Sequence, residues 1–180
     1  ADPDRPVRFA IPSGDALPRF DPFPGFVVLH PYARGRRKSL SRAVIEELCR
    51  AFLPARVVVV GKSSRRFAPP ENCVDLSNQT TLLQLIWLLR KASFVISVDS
   101  GPMHIAAAVT TNLISIHTWS DPRRVGPYNS GAWIWKNGRL LRVSELDSTG
   151  QPGKARPFSR EDVPAVSEIV LRNLPAEALA

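Results

Sequence analysis

In the stretch SVDSGPMHIAAAV, residues 97 to 109, an apolar run ends in an acid, a hydroxyl, a glycine and a proline, and a histidine follows before small apolar residues resume. Those types at that spacing suit anion binding where a strand passes into a helix. Gly101 permits a turn that a side chain would strain to make. Pro102 fits the first helical position, where a missing N–H costs nothing. The amides of Gly101, Met103 and His104 are then expected to point out of the helix, toward a phosphate favoured by the helix dipole. Ser100 can donate its hydroxyl to a phosphate oxygen, and His104, about one turn in, an imidazole N–H. Asp99 is the awkward member, because a carboxylate repels a diphosphate. Its expected work is to cap the helix or to hold loop amides in place. The same residues also read as a well-capped helix start with a core histidine, since D-S-G-P is less specific than a P-loop.

Two other loops carry candidate chemistry. PYARGRRKSLS holds the basic cluster Arg34, Arg36, Arg37 and Lys38, which attracts anions or is a solvated loop surface. TWSDPRRVGPYNSG, at another strand end, holds Trp119, Asp121 and the basic pair Arg123 and Arg124. His30 ends a strand and reads as structural. No D-x-D metal site and no Cys/His zinc spacing is present, so no metal or cofactor is expected.

These residues need a scaffold that brings strand ends together. FVVLH (26–30), RVVVV (56–60), CVDL (73–76), FVISV (94–98) and LISIH (113–117) are apolar throughout rather than alternating, which argues for buried parallel strands. Between them, Ser41 opens a helix with Val44, Ile45, Leu48, Cys49 and Phe52 at helical spacing, closed by Pro54. Thr81 and Gln84 form a capping box ahead of LLQLIWLLRKA. AWIW and RLLRV read as late strands, and Ser159 and Asp162 start a final helix. The fold class expected is α/β, a Rossmann-like parallel sheet with helices on both faces. Its ligand would lie outside the carboxyl ends of the strands.

The chain has 180 residues, suited to one compact domain, here 26–180 after a proline-rich linker or arm at 1–25. It begins ADPDRP without methionine, as a processed chain or a fragment would. A formal net charge of +8 attracts anions: nucleotides, nucleic acid or acidic lipid headgroups. The basic residues sit in short loops without interleaved aromatics, which makes nucleic acid an unlikely partner. Cys49 and Cys73 are too few for a disulfide framework and read as reduced thiols of a cytoplasmic domain. Peripheral contact with the inner face of the cell membrane is compatible with the charge.

VISVDSGPMHIAAAV, with HPYARGRRKSLS upstream and IHTWSDPRRVGPY downstream, resembles the donor-binding half of the lipopolysaccharide heptosyltransferases, glycosyltransferase family 9. The likeness covers roughly Phe26 to Tyr128, and the terminal helix resembles that family's last helix. It implies one half of a GT-B architecture that binds a nucleoside-diphosphate sugar, commonly ADP-heptose. It further implies inverting, metal-independent transfer in lipopolysaccharide or related glycan synthesis. Asp99, Ser100, Gly101, Pro102, Met103 and His104 would line the diphosphate site, with Lys38 near the phosphates and Trp119, Asp121 and Arg123 around the sugar. His117-Thr118-Trp119 replaces the family's usual glycine, so Trp119 reshapes the sugar pocket or offers it a stacking face. GKSSRRF lacks the acid expected at the ribose, for which Glu71 and Asp75 are the available substitutes. The half that would bring a lipid-linked or glycan acceptor and the catalytic base is not in these residues, so this chain alone is expected to bind donor without robust transfer. The competing reading is a stand-alone, non-catalytic scaffold whose basic surface meets an anionic membrane or a protein partner.

Overall fold

The computed structural model describes residues 10–18, 20, 24–35, 37–64, 66–146 and 155–179. Of the expected arm at 1–25, residues 1–9, 19 and 21–23 lie outside this description, as do Arg36 and Arg65 of the basic loops.

The apolar runs form strands as their composition requires: β1 Val27–His30, β2 Val57–Val59, β3 Cys73–Asp75, β4 Phe94–Val98 and β5 Leu113–Ile116. The late segments form β6 Trp133–Lys136 and β7 Arg139–Arg142. All seven join one sheet in the order β3-β2-β1-β4-β5-β6-β7. Pairing is parallel except between β6 and β7, an antiparallel hairpin at the edge. The first six strands follow the doubly wound Rossmann order.

Helices cover both faces. Val27, Leu29, Ile96 and Ile114 face α1 (Arg42–Ala51) and α5 (Val163–Asn173) in one core. Val28, Val58, Val95 and Leu113 face α2 (Leu82–Lys91) and α3 (Gly101–Val109) in the other. Each fully buried aliphatic side chain contributes about 1.5–3 kcal/mol. Helix starts match their sequence signals: Ser41 accepts from the Val44 amide, and Thr81 and Gln84 form the reciprocal capping box.

One expectation needs correction. The segment after β5, expected as plain loop, contains a short helix α4, Pro122–Val125, begun by proline and capped by the Asp121 carboxylate on the Arg123 amide. Ser159 and Asp162 start the last helix as expected, through a 3-10 turn, Arg160–Asp162, in which Asp162 accepts from the Ser159 amide and hydroxyl and from Arg156. The described part of the arm crosses the outer side of α2. The Asp15 amide donates to the Leu83 carbonyl, and Arg90 donates to the carbonyls of Ile11 and Pro12. Gly14, at φ +81°, is needed there, since a Cβ would lie 2.5 Å from the Leu83 carbonyl oxygen. Among the described residues, no helix is long and apolar enough to cross a membrane.

Candidate functional site

The connection from β1 enters α1 on one face of the sheet, while that from β4 enters α3 on the other, so a crevice opens between their carboxyl ends. Register then places polar groups at its floor. His30 pairs with Ser97, and Ser97 with Ser115, so a polar row crosses three strands just before they end. All three residues are buried. Strand alternation turns them toward the α2 and α3 side, between apolar neighbours that face the other way.

His30 Nδ1 lies 3.3 Å from both Ser97 Oγ and Ser100 Oγ. Each of those hydroxyls donates to the Val98 carbonyl at 3.0 Å. A hydroxyl has one proton, so the Nδ1–H serves both serines and Nε2 keeps its lone pair. Gly61 closes over that nitrogen: its φ is +116°, and a Cβ would come within 2.8 Å of Nε2. Burial holds the ring neutral, lowering its pKa from 6.5 to about 4. His30 therefore orients Ser100 as an uncharged scaffold.

Asp99 does not cap the helix, contrary to expectation. The cap position belongs to Ser100, whose side chain makes no capping bond, while Asp99 accepts from Lys38 Nζ at 2.7 Å. This resolves the awkward carboxylate, because its charge is already compensated by a lysine 61 residues earlier. Burial alone would raise the Asp99 pKa; hydrogen bonds from Lys38 and Ser120 outweigh it and hold the carboxyl below its ordinary value. Its stabilising contribution is thus complete above about pH 4 and lost as pH falls through the lowered folded value.

His117 extends the network. Its Nε2 is 2.9 Å from Ser115 Oγ and its Nδ1 3.0 Å from Ser120 Oγ. With Ser120 donating to Asp99, proton accounting runs one way: Ser115 hydroxyl to His117, His117 to Ser120, Ser120 to Asp99. Burial lowers the His117 pKa to about 4, against a smaller upward pull from Asp99.

The amino end of α3 opens onto a cleft of about 640 Å³, lined among others by His30, Gly61, Lys62, Thr80, Ser100 and Pro102. Unlike α1 and α2, this helix carries no side-chain cap. Gly101 is exposed, its φ lies outside the left-handed region, and a Cβ on it would meet nothing within 4 Å. The backbone does not require glycine here; what its absence of a side chain provides is open space in front of the helix. Pro102 stands at the second helical position, one later than expected.

The remaining candidates divide. The Met103 side chain is fully buried and its amide donates to the Ser100 carbonyl at 3.1 Å, so the expected free amide there is already used. His104 packs its ring on Tyr128, centroids 5.7 Å apart, and its buried Nδ1 has no hydrogen-bond partner among the described residues. Asp121 and Arg123 are bound to each other, at 2.8 Å, at the start of α4. Trp119 is exposed beneath the Arg37 guanidinium, 5.5 Å from its ring centroid, and the preceding Thr118 hydroxyl donates to the Arg37 carbonyl. These contacts hold Trp119 against the loop that carries Lys38. Ser97, Ser115, His117 and Ser120 were missed. The available signal was a lone serine inside each of the apolar strands FVISV and LISIH.

Residues 9–149 match the model of glycosyltransferase family 9 (heptosyltransferase). The chain is 34% identical over 104 residues to lipooligosaccharide heptosyltransferase 2 of Haemophilus influenzae, a match covering 55% of this chain and 30% of that protein. Its fold matches the structure of E. coli ADP-heptose LPS heptosyltransferase II with a TM-score of 0.63 at 19% identity, covering 86% of this chain and 49% of that one. E. coli heptosyltransferase WaaC with ADP gives a TM-score of 0.58 at 19% identity, covering 83% and 44%. TibC, a dodecameric iron-containing heptosyltransferase solved in complex with ADP-D-beta-D-heptose, gives 0.55 at 20%, covering 94% and 48%. The chain thus spans about half the length of these structures, with the sheet of one half of their GT-B architecture. Among the described residues, no group of three or more His, Cys, Asp or Glu side chains converges to hold an ion such as the iron of TibC. Strand order, the turn at Asp99 and the match over most of its length agree on one assignment: the chain belongs to glycosyltransferase family 9.

Proposed function

We propose that residues 26–180 form the donor-binding domain of an inverting, metal-independent glycosyltransferase using a nucleoside-diphosphate sugar such as ADP-heptose. The observation that carries this reading is the uncapped amino end of α3 at the head of a cleft at the sheet's switch point. The Gly101 amide faces the diphosphate, whereas the Ser100 hydroxyl, its one proton given to the Val98 carbonyl, does not donate to it as the sequence suggested. Lys38 has three N–H donors and spends one on Asp99, so it bridges the carboxylate and a phosphate oxygen. Asp121 and Arg123 line the sugar end, and His104 stands behind the phosphates.

In the reaction, an acceptor hydroxyl oxygen bonds to the anomeric carbon as the bond to the diphosphate breaks. The electron pair leaves with the diphosphate, stabilised by Lys38 and the α3 dipole in place of a metal ion. The acceptor's proton passes to a base, which we place, with the site for a lipid-linked or glycan acceptor of lipopolysaccharide synthesis, in the half of the relatives' length that has no counterpart here. The 180 residues alone then bind donor and do not transfer sugar, as a cytoplasmic domain that meets the membrane only through its acceptor.

Thermal unfolding with a panel of nucleoside diphosphates and their sugars tests this. At one hundred times its dissociation constant, ADP or ADP-heptose should add about 2.7 kcal/mol of stability. No stabilisation by any of them, with salt-sensitive binding to anionic vesicles, would replace the reading with the scaffold one.

Lys38 gives a sharper test. Lys38→Ala removes a cation and also uncovers the Asp99 charge, so it should weaken ADP binding more than the double variant Lys38→Ala/Asp99→Asn does. The expected gap is about tenfold, or 1.4 kcal/mol, read by calorimetric titration. Equal affinities in the two variants would mean that the ion pair does not face the ligand.

A further inference from the structure

We infer, building on the donor-site reading, that His117 is a positioning residue for Lys38, acting through Ser120 and Asp99 without touching the ligand. Lys38 carries its ammonium on a flexible four-carbon stem, in a loop that contains Gly35 at φ +102°. A carboxylate held at one point orients such an ammonium poorly, because the terminal torsion of an aspartate is broad. Asp99 has a second anchor: Ser120 donates to it while Lys38 donates to its Oδ2 at 2.7 Å. With the carboxylate plane fixed from two sides, the remaining N–H donors of Lys38 keep one direction.

A lone hydroxyl rotates among the acceptors around it, and His117 removes that freedom from Ser120. Its Nδ1–H fills the acceptor side of Ser120 Oγ at 3.0 Å, which leaves the serine proton for Asp99. Ser115 Oγ, 2.9 Å from Nε2, keeps the ring proton on Nδ1. Ser115 and His117 are both fully buried, so the sheet rather than solvent sets the tautomer. Lys136 fixes the backbone of the same serine, donating to the Ser120 carbonyl at 3.0 Å. The neighbouring Thr118 hydroxyl donates to the Arg37 carbonyl at 2.8 Å. One short segment thus grips the Asp99 carboxylate and the loop next to Lys38 together.

Two substitutions separate this role from packing. An asparagine amide nitrogen falls near the place of Nδ1 and keeps a donor for Ser120, whereas a glutamine amide reaches the place of Nε2 and keeps only the Ser115 contact. In calorimetric titration His117→Asn should bind ADP within about threefold of the unaltered chain, and His117→Gln about tenfold more weakly. Added to Lys38→Ala/Asp99→Asn, His117→Gln should change ADP affinity by less than about twofold, because the pair it acts on is gone. Carbon NMR of the Asp99 carboxyl gives a second readout: its titration should rise toward the ordinary value in His117→Gln and stay low in His117→Asn. If His117→Gln does not fold, Ser120→Ala, at a partly exposed position, cuts the same link and should show the same loss and the same Asp99 shift. Equal affinities in the two His117 variants, or a loss that persists without the Lys38–Asp99 pair, would make the ring a packing element and overturn the inference with the donor site intact. Failure of the folded, unaltered chain to bind ADP at all overturns the donor-site reading, and the inference with it.

Discussion

Acidification from pH 7 will cost the fold about 2 kcal/mol per buried histidine by pH 5 and about 3 by pH 4. His30 and His117 are neutral in the folded protein, with values near 4, and regain the ordinary value near 6.5 on unfolding. The unfolded chain therefore binds more protons throughout that interval. Stability is complete above about pH 6.5 and falls as pH drops toward 4. Together the two rings account for about 4 kcal/mol at pH 5, a large share of the 5–15 kcal/mol typical of a domain. Asp99, whose value is lowered from 3.8, acts only below that window. Urea unfolding at pH 7, 6 and 5 measures the slope, and His30→Asn/His117→Asn should flatten it even if less stable at pH 7. A wild-type curve level within about 1 kcal/mol from pH 7 to 5 contradicts neutral buried imidazoles.

Gly101→Val is expected to leave the fold intact and to empty the site. A side chain at Gly101 meets open space and no left-handed backbone, so unfolding free energy should change by less than about 1 kcal/mol. The added methyl groups would occupy the place of a phosphate before the α3 amides, and ADP affinity should fall at least roughly thirtyfold, about 2 kcal/mol. Titration beside an unfolding curve checks both halves. Undiminished ADP binding in a folded Gly101→Val protein would move the diphosphate away from this helix.

The elements were legible because each rests on local chemistry. Apolar runs without alternation announced β1, β2, β4 and β5, and the Thr81–Gln84 pair announced α2. Glycosyltransferase family 9 was legible from the order of three motifs. The site was legible only in part, because its decisive contacts join distant segments. Nothing near Asp99 in the chain says that Lys38 neutralises it. Nothing in HTWS says that His117 and Ser120 reach that same carboxylate, since this depends on β5 lying beside β4. Gly101 was read as a glycine its turn required, whereas the backbone there needs none and the space before the helix is open; the two cases look alike in sequence. The four residues of α4 are too few to show a helical period, and only Asp121 ahead of Pro122 marked its start.

The row formed by His30, Ser97 and Ser115 ties strand pairing to the floor of the proposed donor site. Shift β4 by a single position and Ile96 or Val98 would arrive under the helix at which we place the phosphates, while the hydroxyl went into the oily layer behind. Loops around this edge lie outside the strand pairing and do not set this register. The phase of the central strand does, and an insertion or deletion within FVISV would erase foldability and recognition in one stroke.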